Sequence, residues 1–123
     1  MRGSVILVAA LGMVAASGCG GSEQDAARDV VKEYADAIAD GDEERVCDTL
    51  TEDSRKQFDR AGCEKAYANF GAFLDREQKE RLKELEPAVK VDGASATTTI
   101  REEPLKGELR LKKENGEWRV ASR

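Results

Sequence analysis

Three thiols and no imidazole set the chemical repertoire of this 123-residue chain. The thiols are Cys19, Cys47 and Cys63. Without histidine the chain lacks the commonest general base, the commonest metal ligand and the usual near-neutral pH switch. A Ser-His-Asp or Cys-His nucleophile therefore cannot be assembled from its own residues. Isolated cysteines are poor zinc ligands, because structural zinc takes four N or S donors. Glu33, Asp36 and Asp40, or Glu43 with Asp48, lie close enough in sequence to suggest calcium. No Asp-x-Asp-x-Asp-Gly loop accompanies them, so they read as a solvated helix face. No metal and no cofactor is expected. Gly41, Gly93 and Gly116 fall at turns, and no Gly-x-Gly-x-x-Gly or Gly-Lys-Ser run makes a phosphate cradle.

The position of Cys19 gives its thiol a specific chemistry. Met1-Arg2-Gly3-Ser4 is a short basic start, and Val5 to Ala16 is wholly apolar apart from Gly12. That run is too short for a membrane-spanning helix, which needs ~20 residues. It fits the apolar region of a signal peptide, ~7–15 residues long. Ala16-Ser17-Gly18-Cys19 then places small residues directly before a cysteine. This resembles the lipobox of bacterial lipoproteins, usually Leu-Ala-Gly-Cys, with Ala16 where leucine is commonest. The resemblance implies a diacylglyceryl thioether on Cys19, cleavage before it, and palmitate-type acyl chains. Two or three chains suffice for stable anchoring, whereas one is marginal. Residues 1–18 are then a lipoprotein signal peptide and 19–24 a lipidated tether, flexible at Gly20-Gly21-Ser22. The expected location is the extracytoplasmic face of the cell membrane.

With Cys19 lipidated, the odd cysteine count becomes an even pair in an oxidising compartment. A Cys47–Cys63 disulfide is therefore expected. It closes a loop of sixteen residue steps, worth about 3 kcal/mol in the chain-entropy model.

The chain carries 20 basic and 25 acidic side chains, and only Arg2 of these precedes Cys19. An acidic body argues against nucleic acid as a partner, since that affinity rests on Lys and Arg against phosphates. It argues equally against broad electrostatic docking on anionic lipid. Six aromatics, Tyr34, Phe58, Tyr67, Phe70, Phe73 and Trp118, are few for a large ligand cavity.

Periodicity supplies the elements. From Ser22-Glu23-Gln24-Asp25, a helix start, apolar residues recur at Ala27, Val30, Val31, Tyr34, Ala37 and Ile38, and Gly41 ends the helix. Asp42 caps a short segment holding Val46, Cys47 and Leu50. Thr51 starts another that reaches Phe58, and Gly62 breaks it. Cys63 to Leu74 reads as one helix with Ala66, Tyr67, Phe70, Phe73 and Leu74 on one side. Asp75 caps a charged, solvated stretch to Glu84, in which Lys79 to Glu84 offers too little apolar area for a partner helix. After Pro87 the period changes from 3.6 to 2. Val89 and Val91, Ala94 to Arg101, Leu109 and Leu111, and Trp118 and Val120 mark four strands. Asp92-Gly93 and Asn115-Gly116 are hairpin signals. Helices followed by a meander imply an α+β domain over 25–122, the first helix covering one face of an antiparallel sheet.

This layout resembles the small extracytoplasmic NTF2-like lipoproteins and membrane-anchored proteins of Actinobacteria. The matching pieces are Val30 to Asp42, Val46-Cys47-Asp48-Thr49-Leu50-Thr51, Cys63 opening a helix, Val91 to Ala96, and Asn115-Gly116-Glu117-Trp118-Arg119-Val120. The resemblance implies a cystatin-like cone, a four-stranded antiparallel sheet wrapped by the N-terminal helices. It also implies a cone that holds a small ligand, a catalytic site or nothing, since fold alone does not choose. Pairing of two copies through the outer sheet face is a family habit. Here that face carries Lys90, Arg110, Lys112 and Arg119 with Glu108 and Glu117, which neither require nor forbid a homodimer.

Tyr34, Ile38 and Trp118 are the expected pocket-lining residues, with packing aromatics as the plainer reading of Tyr34 and Trp118. Asp36 and Asp40 lie off the face of Tyr34, so no catalytic residue is assigned. The leading expectation is a non-enzymatic, lipid-anchored domain binding a small apolar ligand or an envelope protein. An isomerase or hydrolase using a carboxylate in the cone, or a structural subunit of a membrane complex, are the alternatives. A ligand binder needs an apolar pocket of ~300 Å³ or more. An enzyme needs a buried carboxylate with a raised pKa, and a partner module an exposed apolar patch such as Phe70, Phe73 and Leu74.

Overall fold

Ala27, Val31, Tyr34, Ala35 and Ile38 recur at helical spacing, and all five are buried along one face of the first helix. The structure is a computed structural model describing residues 7–58, 62–68 and 71–122, with side chains of the first helix described from Glu23 onward. That helix, α1 (Leu7–Asp40), begins at Leu7 and not at Ser22. Ala9, Ala10, Leu11, Met13, Ala15 and Ala16 are strong helix formers, and the helix runs on through Gly12, Gly18, Gly20 and Gly21, although each costs roughly 1 kcal/mol relative to alanine. Cys19 lies on this helix, but its side chain is outside the described residues, as is Phe70. Gly41 ends α1 with φ 69°, its N–H bonding to Ile38 O and that of Asp42 to Ala37 O.

Short capped helices follow. The Asp42 side chain accepts from the Arg45 N–H at the start of α2 (Glu43–Asp48), and the Thr51 hydroxyl accepts from the Ser54 N–H at the start of α3 (Glu52–Lys56). The expected helix from Cys63 to Leu74 is instead α4 (Gly62–Tyr67) and a separate 3-10 turn, Gly71–Phe73. Gly71 sits inside that run and interrupts it. Ala66 on α4 is exposed and Phe73 is 83 % exposed, while Leu74 reaches the core. Asp75 and Gln78 form a capping box at α5 (Arg76–Lys83). This helix is less solvated than its composition suggests, because Leu82 is 1 % exposed in the core cluster and α5 packs on α1.

Four strands, β1 (Val89–Asp92), β2 (Ser95–Ile100), β3 (Gly107–Glu114) and β4 (Glu117–Ser122), form an antiparallel sheet in sequence order. The class is α+β. Asn115 and Gly116 both take positive φ, as a type I′ turn demands. In the first hairpin Asp92 pairs with Ser95, so the turn is Gly93-Ala94 and not Asp92-Gly93. Only Gly93 then needs positive φ, as in a II′ turn, and no aspartate is forced there. Ala96, Thr98, Ile100, Leu109, Leu111, Trp118 and Val120 form the buried face against the helices. A bulge at Ala121 shifts the β3–β4 register and bends the last strand. The β4 edge is covered, since Val120 exchanges backbone hydrogen bonds with Thr49 and Thr51. Leu105, from the β2–β3 loop, also enters the core beside a cis Glu103–Pro104 bond. Among the described residues no helix is long and apolar enough to cross a membrane.

Candidate functional site

Cys47 on α2 and Cys63 on α4 are joined by a disulfide with Cα atoms 5.9 Å apart. Both cysteines are buried, so the bridge is part of the core. Tyr67 lies four residues after Cys63, one helical turn on and on the same side. The bridge thereby holds Tyr67 over α1, where its hydroxyl stands 3.4 Å from that of Tyr34. The Phe58 and Tyr67 rings meet edge to face with centroids 5.7 Å apart.

These aromatics wall a cleft of about 230 Å³ whose lining also includes Leu50, Ser54, Gln57, Val120 and Ala121. Its chemistry is aromatic and aliphatic, with two phenols, a hydroxyl and a carboxamide. Ser54 is already committed, donating to the Ala121 carbonyl and contacting the Thr51 hydroxyl. Neither a carboxylate nor an ammonium lines this cleft.

The three residues expected to line one pocket are not brought together. Tyr34 is 1 % exposed and lines the cleft just described. Ile38, one turn further on, lies in the core. Trp118 lines a separate opening of about 370 Å³ with Glu23, Ala26, Val30 and Thr49. Tyr67 and Phe58 were not singled out as lining residues; their partnership with Tyr34 crosses elements that no local periodicity links.

The carboxylates near Tyr34 are held elsewhere. Arg45 bonds Glu33 at 2.6 Å and Asp40 at 3.1 Å, with Asp36 at 3.5 Å. This pairing holds the Arg45 guanidinium proton more firmly than usual. Among the described residues no group of three or more ligating side chains could hold a metal ion. The Asp40 carboxyl is held below the ordinary aspartate range, chiefly by its hydrogen bond from Lys83 and then by Arg45. The Glu23 carboxyl is lowered as well, chiefly by its hydrogen bond from Lys113. Both are poised as anions, which is the opposite of what a proton-transferring carboxyl near neutrality requires.

The lowered Asp40 value carries a pH prediction. A depressed carboxyl stabilises the fold above its ordinary pKa and loses that contribution as pH falls through the folded value. Thermal unfolding followed from about pH 6 down to pH 2 should therefore show a falling midpoint. In Asp40→Asn the midpoint should fall less steeply over that range. Parallel curves for the two proteins would show that Asp40 contributes nothing through ionisation.

Trp118 packs its ring under Lys113, whose Nζ lies 5.7 Å from the ring centroid. Its indole N–H donates to Glu23 at 3.4 Å, and Lys113 Nζ donates to the same carboxylate. The chain matches no protein-family model, no curated protein and no solved structure.

Proposed function

We propose that this chain is a lipid-anchored, extracytoplasmic NTF2-like domain that binds a small apolar ligand and performs no chemistry on it. The observation that carries the ligand reading is the cleft of Tyr34, Phe58 and Tyr67, braced by the Cys47–Cys63 bridge. Support for the cone comes from α1 packing across the sheet and from the bulge that curves β4. Lipid anchoring is supported by the residues before Cys19 alone. A volume of about 230 Å³ falls below the usual range for drug-sized ligands, roughly 300–1,000 Å³. The fitting ligand is therefore a single ring or short branched chain. One polar group on it would meet the tyrosine hydroxyls or the Gln57 amide.

Fluorine NMR with 4-fluorotoluene and 4-fluorophenol tests this directly. The fluorine line should broaden saturably with protein, with the phenol bound more tightly than the toluene. Gln57→Trp, a substitution at the exposed rim, should block the cleft and abolish broadening while leaving the urea unfolding midpoint unchanged. Equal broadening by both proteins would dismiss the cleft as the binding site. Failure of either probe to bind would shift weight to a second reading, a protein partner docking at the exposed Phe73.

A further inference from the structure

The N-terminal end of the folded domain is pinned at three points. The Glu23 carboxylate accepts from Lys113 Nζ on β3 and from Trp118 Nε1 on β4. The next residue, Gln24, donates from Nε2 to the Val89 carbonyl on β1 at 2.7 Å. Lys113 and Trp118 pair with each other across the hairpin, one pair back from the Glu114–Glu117 pair that flanks the Asn115-Gly116 turn. Because the sheet is a four-stranded meander, the Gly93-Ala94 turn lies at that same end. Glu23 and Gln24 also line a surface hollow with Val89, Lys90, Val91 and Gly93. The chain therefore leaves the domain, in the N-terminal direction, near the Asn115-Gly116 turn, with Gln24 tied to the start of β1.

Only four residue steps separate Glu23 from Cys19. As helix, the conformation α1 has there, they rise about 6 Å. Stretched fully, they would reach about 14 Å. The polar headgroup layer on one side of a bilayer is roughly 5–7 Å thick. An acyl-bearing Cys19 sits at the level of that layer, so the helical path, the one α1 takes there, does not carry the domain beyond it.

We propose that the hairpin end of the sheet is a membrane-seated surface, with the Gly93-Ala94 and Asn115-Gly116 turns resting on lipid headgroups. This rests on the lipid anchoring of Cys19 proposed above. The partner is a neutral lipid surface. Asp92, Glu114 and Glu117 flank the two turns, so contact is imposed by the short anchor and not by attraction to anionic lipid. The flanks hold no aromatic side chain able to insert except Trp118, which is buried, so the end rests on the headgroups without penetrating. The seat also sets the height of the ligand cleft. Tyr34 lies eleven residues along α1 from Glu23, about 16 Å along the helix axis from the pinned end. The cleft is then presented to the aqueous side while the hairpin end is screened.

Trp118 is the sole tryptophan, which makes it a donor for energy transfer to headgroup-labelled lipid. The processed, lipid-bearing protein is reconstituted into phosphatidylcholine vesicles containing a small fraction of dansyl-headgroup phosphatidylethanolamine. Flotation with the vesicles reads anchoring separately from seating. A second protein carries a long Gly/Ser segment between Ser22 and Glu23. The native spacing should give at least about a twofold higher transfer efficiency than the lengthened protein, as expected when a flexible spacer lets the domain drift. If both proteins float and give equal transfer, the seating is wrong and the anchoring stands. If the native protein does not float, the anchoring fails and the seating falls with it.

Discussion

Replacing Cys47 and Cys63 together with alanine is expected to lower the unfolding free energy by about 3 kcal/mol, the chain-entropy value for a loop of this length. For a domain of this size that corresponds to a drop of roughly 12–24 °C in the melting midpoint. The effect should exceed that of most single core truncations of small side chains, because two mechanisms combine. The unfolded chain regains the freedom of the loop, and two buried sulfur atoms leave small voids at 5 % and 8 % exposure. Urea titration of the processed protein, with and without a thiol reductant, measures it. Reductant should reproduce most of the loss in the native protein and change nothing in the double variant. The aromatic cleft should respond too. Tyr67 is carried over Tyr34 by α4, and the bridge ties α4 to α2, so fluorophenol affinity should fall in the double variant at temperatures where it remains folded. Unchanged midpoints would mean that the pair is not bonded in the protein as made.

Which parts of this arrangement could be read from the chain follows from how local their causes are. Gly41, Asp42, Thr51 and Asp75 act within four residues, and each caps the helix its type and position suggest. The four strands announce themselves because alternation along Val89–Val91, Ala96–Ile100, Leu109–Leu111 and Trp118–Val120 is a direct image of one buried face. The first hairpin shows the limit of that signal. Moving its turn by one residue changes the pairing by two, which keeps every side chain on its own face. The hydrophobic pattern therefore cannot choose the register. The choice lies with backbone conformation at Gly93 and with the Thr98 hydroxyl, which donates to the Ala88 carbonyl at 2.8 Å. The cleft was less legible still. Its walls come from α1, the α2–α3 connection, α3 and the residues just after it, α4 and β4, and the Tyr34–Tyr67 contact spans 33 residues. Glu23 is the extreme case. In sequence it is one more acid in a helix's first turn, and its partners Lys113 and Trp118 are 90 and 95 residues away.

Substituting Cys19 by alanine is expected to abolish stable membrane association in a host that processes lipoproteins. The energetic argument is that each buried methylene contributes about 0.8 kcal/mol, so two or three acyl chains anchor where one would not. Among the described residues no helix is long and apolar enough to cross a membrane. Fractionation should move the variant from the membrane to the soluble extracytoplasmic or medium fraction, or leave it uncleaved. Intact mass should show the native protein cut before Cys19 and bearing acyl glycerol, and the variant without that increment. Membrane retention and mass identical to the native protein would refute lipidation at this residue. The fold should be indifferent to the outcome. Cleavage before Cys19 removes the first part of α1, yet Glu23, Gln24 and the buried stripe from Ala27 to Ile38 stay in place. Processed native protein and cleaved variant should therefore unfold at the same urea concentration. Anchor and domain would then be separable in energy and coupled only in geometry, through the three residues that join Cys19 to the pinned Glu23.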